Sequence, residues 1–129
     1  MNEQHRASIL LAEDDEAMRS YLERALSQAG FSVTAVDRGT YALPLLSQGA
    51  FDLLLSDIVM PEMDGIELAQ RCNEISPQTK VMFITGFAAV TLKASREQPN
   101  ARVLSKPFHL KDLVIEVERV LEDRIAATL

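Results

Sequence analysis

The chain has one cysteine, Cys72, and two histidines, His5 and His109, among 129 residues. A single thiol excludes an internal disulfide and a cysteine-rich zinc site. Cys72 lies in a helical pattern beside Ala69 and Ile75, which predicts a small buried side chain; a reactive thiol needs exposure and a lowered pKa. His5 stands in a polar leader without a partner, and His109 is alone near the start of the last helical pattern. Both are expected at the surface, neither as ligand nor as catalyst. Long apolar runs are missing too, and nothing approaches the ~20 residues that cross a bilayer. Met1 to Ser8 is polar, so no signal peptide is expected and the chain is expected to be cytoplasmic. Repeats, low-complexity tracts and linkers are absent. Basic charge is in deficit, with 13 Lys and Arg against 19 Asp and Glu and a formal net charge of −6. That balance disfavours nucleic acid and anionic membranes, whose binding rests on Lys and Arg neutralising phosphates.

What is present is an alternation of strand and helix patterns, with 47% hydrophobic residues to fill one core. The length suits a single domain. Ser8–Ala12 reads as a buried strand. Apolar residues then recur at Met18, Tyr21, Leu22, Ala25, Leu26 and Ala29, the period of one helix face, with Gly30 as the stop. Phe31–Val36 is a second strand. Thr40–Ser47 is a short helix that Pro44 should kink or loosen, because proline removes a hydrogen bond and crowds the preceding turn. Asp52–Asp57 is a third strand whose consecutive Leu53, Leu54 and Leu55 suit burial on both faces. Gly65–Ile75 is a helix closed by Pro77, and Lys80–Thr85 a fourth strand. A poorly defined helix follows Gly86 and ends near Arg96. Arg102–Ser105 is the fifth strand, and Leu110, Leu113, Val114, Val117, Val120 and Leu121 mark the last helix. This alternation implies a five-stranded parallel sheet with helices on both faces.

In open sheets of this kind the site lies at the carboxyl ends of the strands. After the first strand stand Glu13, Asp14 and Asp15; after the third, Asp57; after the fourth, Thr85 and Gly86; after the fifth, Lys106 and Pro107. Carboxylates brought together repel one another unless a cation is present, and hard oxygen donors suit Mg²⁺. A carboxylate can act as a nucleophile and form an aspartyl-phosphate. Lys106 can then pair with a phosphoryl oxygen and the Thr85 hydroxyl can donate to another, with backbone N–H groups near Val59 and Gly86 as further donors. Asp15 is expected to cap the helix that starts at Glu16, and Asp64 to begin the helix at Gly65; neither is expected to be a ligand.

The strings ILLAEDDEAMR (9–19), LLLSDIVMPEMDGIEL (53–68), FITG (83–86) and LSKPF (104–108) come in one order across almost the whole chain. Together they resemble the receiver domain of two-component response regulators, a flavodoxin-like fold with strand order 2-1-3-4-5. The resemblance implies that Asp57 is the phosphoacceptor, Thr85 the switch hydroxyl and Lys106 the phosphoryl-oxygen partner. It implies Mg²⁺ held by Asp14 and Asp57, by Glu13 through water and by the Val59 carbonyl, with Pro61 and Gly65 shaping the loop. It also implies a histidine kinase or histidine phosphotransferase as phosphoryl donor. KVMFITGFAAV (80–90) and VLSKPFHLKDLV (103–114) resemble, more narrowly, single-domain regulators of cell-cycle proteolysis. That likeness implies an adaptor-like role with the ClpX unfoldase of the ClpXP protease.

The expected organisation is a loose leader over 1–7, a receiver over 8–125, a short tail over 126–129 and no output domain. Val103 stands where receivers commonly carry Tyr or Phe, so a different packing change, at Phe87 or Phe108, is expected to carry the signal. Val59 and Phe87 are expected to restrict water around the acyl phosphate. Dedicated enzymatic turnover is not expected. Haloacid-dehalogenase-like phosphatases place a second Asp two residues after the nucleophile, where this chain has Val59. A phosphate sink for a histidine kinase is the other alternative.

Overall fold

The computed structural model describes the backbone of residues 6–49 and 51–128 and the side chains of 6–49 and 51–122. His5, with residues 1–5 of the expected leader, and Leu129 lie outside the described residues. Strands β1 (Ser8–Ala12), β2 (Ser32–Val36), β3 (Leu53–Asp57), β4 (Lys80–Thr85) and β5 (Arg102–Ser105) alternate with helices α1 (Glu16–Gln28), α2 (Gly39–Gln48), α3 (Gly65–Ile75), α4 (Ala88–Glu97) and α5 (Leu110–Thr128). The strands pair in parallel in the order β2-β1-β3-β4-β5. This is the doubly wound topology expected from the alternation.

Strand periodicity divides the core into two layers. Leu10, Leu54 and Phe83 face Ala42 and Leu46 of α2, Ile66, Ala69 and Cys72 of α3, and Ala94 of α4. Ile9, Leu11, Leu53, Leu55, Met82 and Ile84 face Leu22 and Leu26 of α1 and Leu113, Val117, Val120 and Leu121 of α5. Successive side chains leave a strand on opposite faces, so the triple leucine of β3 serves both layers. Each fully buried leucine contributes roughly 1.5–3 kcal/mol relative to exposure.

The two acids expected at helix starts take those positions. Asp15 Oδ1 accepts from the Met18 N–H at 2.9 Å, and Asp64 Oδ1 from the Glu67 N–H at 2.8 Å. Gly30 follows α1 with φ 104°, a left-handed backbone that glycine adopts without a Cβ clash. Helix α2 continues through Pro44. Pro44 gives the Thr40 carbonyl no i+4 donor, but Thr40 is exposed in the first turn, where water can serve it. The helix after Gly86 is regular over ten residues, not poorly defined. Its faint apolar stripe follows from burying only Ala94. Hydrogen bonds supplement that packing: Gln70 Nε2 donates to Glu97 Oε1 (3.0 Å) and Asn73 Nδ2 to Gln98 Oε1 (2.9 Å), tying the end of α4 to α3. Helix α5 runs to Thr128, so the stretch read as a tail is helical over 126–128.

Candidate functional site

Register brings the strand-end residues together. Ala12 pairs with Ser56, Asp57 with Ile84, and Thr85 with Ser105, so Glu13, Asp57, Thr85 and Lys106 follow one another along the carboxyl edge of β1, β3, β4 and β5. One carboxylate oxygen from each of Glu13, Asp14 and Asp57 lies within 4.8 Å of the other two. Glu13 is fully buried, Asp57 is 6% exposed, and Asp14 faces solvent. Lys106 reaches across from β5, with Nζ 3.3 Å from Glu13 Oε1 and 3.5 Å from Asp57 Oδ2.

Two groups of this cluster, Glu13 and Lys106, are displaced from their ordinary behaviour. Burial pushes the Glu13 carboxyl up to about 7. The Asp15 N–H donates to Glu13 Oε2 at 3.2 Å and pulls the other way, as does Lys106, while the neighbouring Asp57 charge raises it again. Burial alone lowers the Lys106 ammonium, but Asp57 and Glu13 together outweigh it and the net direction is up. The pair favours ionised Lys106, yet one ammonium does not neutralise three carboxylates. Hard oxygen donors on two strand ends, one open to water, fit a divalent cation such as Mg²⁺.

Thr85 is fully buried, and its Oγ1 accepts from the Phe87 N–H at 3.0 Å. Acceptance leaves the hydroxyl proton to donate. Val59 and Phe87 are exposed, at 44% and 59%. Pro61 is exposed and its carbonyl accepts from the Met63 N–H at 2.8 Å. Gly65 is sterically required. A Cβ there would run into the Asp57 carbonyl oxygen and lie 2.9 Å from Ile58 Cα, and the Gly65 N–H donates to the Ile58 carbonyl at 2.7 Å. Gly86 is different: a Cβ would meet Lys106 Cδ at an ordinary 3.9 Å. His109 is exposed and Cys72 is fully buried, its thiol pushed up to about 11 by burial, as befits a core residue.

Ser56 escaped the motif reading. Its Oγ donates to the Asp57 carbonyl at 2.8 Å inside the core. A hydroxyl within an otherwise apolar strand was the available signal. An open cleft of about 320 Å³ lined by Asn73, Pro77, Lys80, Gln98 and Asn100 lies toward the amino ends of β4 and β5, away from these residues.

An open parallel sheet with three acids, a hydroxyl and a lysine at its carboxyl edge defines an α/β protein whose site pairs a cation with an anion. The chain belongs to the response regulator receiver domain family, whose model matches residues 9–118. It is 60% identical over 114 residues to the response regulator receiver protein CpdR of Brucella abortus, covering 88% of this chain and 95% of that protein. It is 37% identical over 121 residues to the sensor kinase CckA of the same organism, covering 90% of this chain and 13% of the kinase. The crystal structure of a response regulator receiver protein from Sinorhizobium medicae superposes with a TM-score of 0.85 at 34% identity, covering 94% of this chain and 98% of that one. Among the described residues no helix is long and apolar enough to cross a membrane.

Proposed function

We propose that the chain is a phosphorylation-controlled binding switch that receives its phosphoryl group on Asp57. The observation that carries this reading is the setting of Asp57, buried at the end of β3, with Glu13 and Asp14 beside it and Lys106 Nζ 3.5 Å away. An Asp57 oxygen attacks phosphorus as the P–N bond to a donor imidazole breaks; the imidazole keeps the electron pair and takes up a proton. Lys106 pairs with one phosphoryl oxygen, and the Thr85 O–H donates to another. Mg²⁺, held by Asp14, Asp57 and the Val59 carbonyl and by Glu13 through water, would supply positive charge against the phosphoryl oxygens. The exposed apolar Val59, two residues past Asp57, offers no acid or base for turnover, so the protein is a phosphoacceptor and not a dedicated phosphatase.

The donor is a histidine kinase or histidine phosphotransferase, a reading supported by membership of the receiver family and by similarity to CckA. Similarity to CpdR supports a cytoplasmic regulator of cell-cycle proteolysis that acts through ClpX of ClpXP. The signal leaves the site through Phe87. Phe108 packs against the α1–α5 face and Val103 against the α2–α4 face, whereas the Phe87 ring is exposed and its N–H is held by Thr85. A Thr85 drawn toward phosphate changes its hold on the residue that opens α4.

Relay phosphorylation of wild-type and Asp57→Ala protein, with and without Mg²⁺, followed by a ClpX binding assay, tests the reading. Label is expected on wild type with Mg²⁺ and on neither control, and ClpX binding is expected to depend on phosphorylation. Label on Asp57→Ala overturns the site.

A further inference from the structure

We infer that Glu62 is a positioning residue, whose carboxylate ties the β3–α3 loop to the start of α2 and so holds the Val59 carbonyl where Mg²⁺ would need it. Among the described residues Glu62 is the one non-glycine residue with positive φ, at 73°. That backbone favours Gly or Asn over a long side chain, so a glutamate there needs compensation from its contacts. The contacts are present. Thr40 Oγ1 donates to Glu62 Oε1 at 3.2 Å, and Arg38 Nη1 lies 3.7 Å from Glu62 Oε2.

Arg38 is itself held in place. Its Nε and Nη2 donate to Asp37 Oδ1 and Oδ2 at 3.1 and 3.3 Å, and its guanidinium lies 4.7 Å from the centre of the Tyr41 ring. Helix α2 is a firm support because Gly39, Ala42 and Leu46 are buried. Next to Glu62, the buried Met63 presses on the same helix start, its Cβ 3.3 Å from where a Cβ on Gly39 would sit. The loop between Ile58 and Gly65 is thus fastened at its far end by the Gly65 N–H on the Ile58 carbonyl, and at its crest by Glu62 and Met63 on α2. Val59 lies between these fastenings. Exposed ion pairs are individually weak, so the effect on metal affinity is modest.

The inference rests on the proposed Mg²⁺ site and is separable from it. Removing Glu62 also removes a negative charge, which by itself weakens cation binding. The informative variants are therefore its partners. Thr40→Val changes no charge. Arg38→Gln deletes a positive charge, so electrostatics alone would tighten Mg²⁺, whereas a lost tether loosens it. Calorimetric titration of unphosphorylated protein with Mg²⁺ alone, with the metal-free unfolding midpoint measured beside it, reads both. Each variant is expected to bind Mg²⁺ about threefold more weakly, with its unfolding midpoint close to wild type. Unchanged or tighter binding in either variant overturns the tether while leaving the metal site standing. A wild-type protein that takes up no Mg²⁺ overturns both.

Discussion

The Lys106 ammonium lies 3.5 Å from Asp57 Oδ2, although 49 residues separate the two along the chain. The same Nζ is 3.3 Å from the fully buried Glu13. Lys106 is thus held on the edge where negative charge is concentrated. In the proposed transfer, Lys106 would exchange its pairing with Asp57 for one with a phosphoryl oxygen.

Lys106→Ala removes that prepositioned charge. Phosphoryl transfer to Asp57 is expected to slow by about 100-fold, the usual cost of losing one donor aimed at developing charge. Time courses of labelling from a phosphorylated histidine phosphotransferase read the rate directly. A rate within a factor of about two of wild type would place Lys106 outside the transfer step.

Gly65→Ala sets a methyl group against the Asp57 carbonyl oxygen and Ile58 Cα. Backbone atoms cannot swing aside as a flexible side chain can. The substitution is expected to cost at least about 3 kcal/mol in urea unfolding and to impair labelling of Asp57 in whatever fraction stays folded. Gly86→Ala is the contrast. A Cβ there makes only ordinary contact with Lys106 Cδ, and stability should change by less than about 1 kcal/mol.

Thr91 Oγ1 is buried without a hydrogen-bond partner among the described residues. Thr91→Val replaces the hydroxyl by a methyl of similar size. Stability is expected to rise by about 1 kcal/mol, read as a melting temperature higher by about 4 °C. A fall in melting temperature would mean that the hydroxyl is satisfied in solution.

Cys72 supplies the pH dependence. Burial raises its thiol from 9.0 to about 11 in the fold. Between these values the folded chain keeps a proton that the unfolded chain releases. The contribution to stability is therefore intact below about pH 9 and lost as pH rises toward about 11, up to roughly 2–3 kcal/mol. Unfolding midpoints of wild type and Cys72→Ala across that window should converge as pH rises. At neutral pH a thiol reagent should label Cys72 only at the rate of opening, and immediate labelling of native protein would contradict its burial.

The strand pattern was legible because parallel strands covered on both faces are written as continuous apolar runs, as in Leu53, Leu54 and Leu55. The site was legible because the chemistry of an open α/β sheet stands at strand ends, which picked out Glu13, Asp14, Asp57, Thr85 and Lys106. Asp15 and Asp64 were separable from that set because a cap announces itself by its position before a helix. Helix α4 was less clear. Its one buried residue leaves almost no period to read, and its hold on α3 comes from Gln70–Glu97 and Asn73–Gln98 bonds between segments far apart in sequence.

The sequence by itself determined the order of elements, the acids, hydroxyl and lysine that stand at the strand ends, and the absence of a disulfide framework, since each depends on local period or residue type. Tertiary structure alone decided the rest. It placed Gly65 against the Asp57 carbonyl, set Ser56 Oγ to satisfy that carbonyl, and brought Glu62 to Thr40 and Arg38. It also pushed the Glu13 carboxyl up to about 7, a value no isolated motif implies. Packing distance, burial and neighbouring charge belong to the assembled sheet, and they exist only once strands remote in the chain lie side by side.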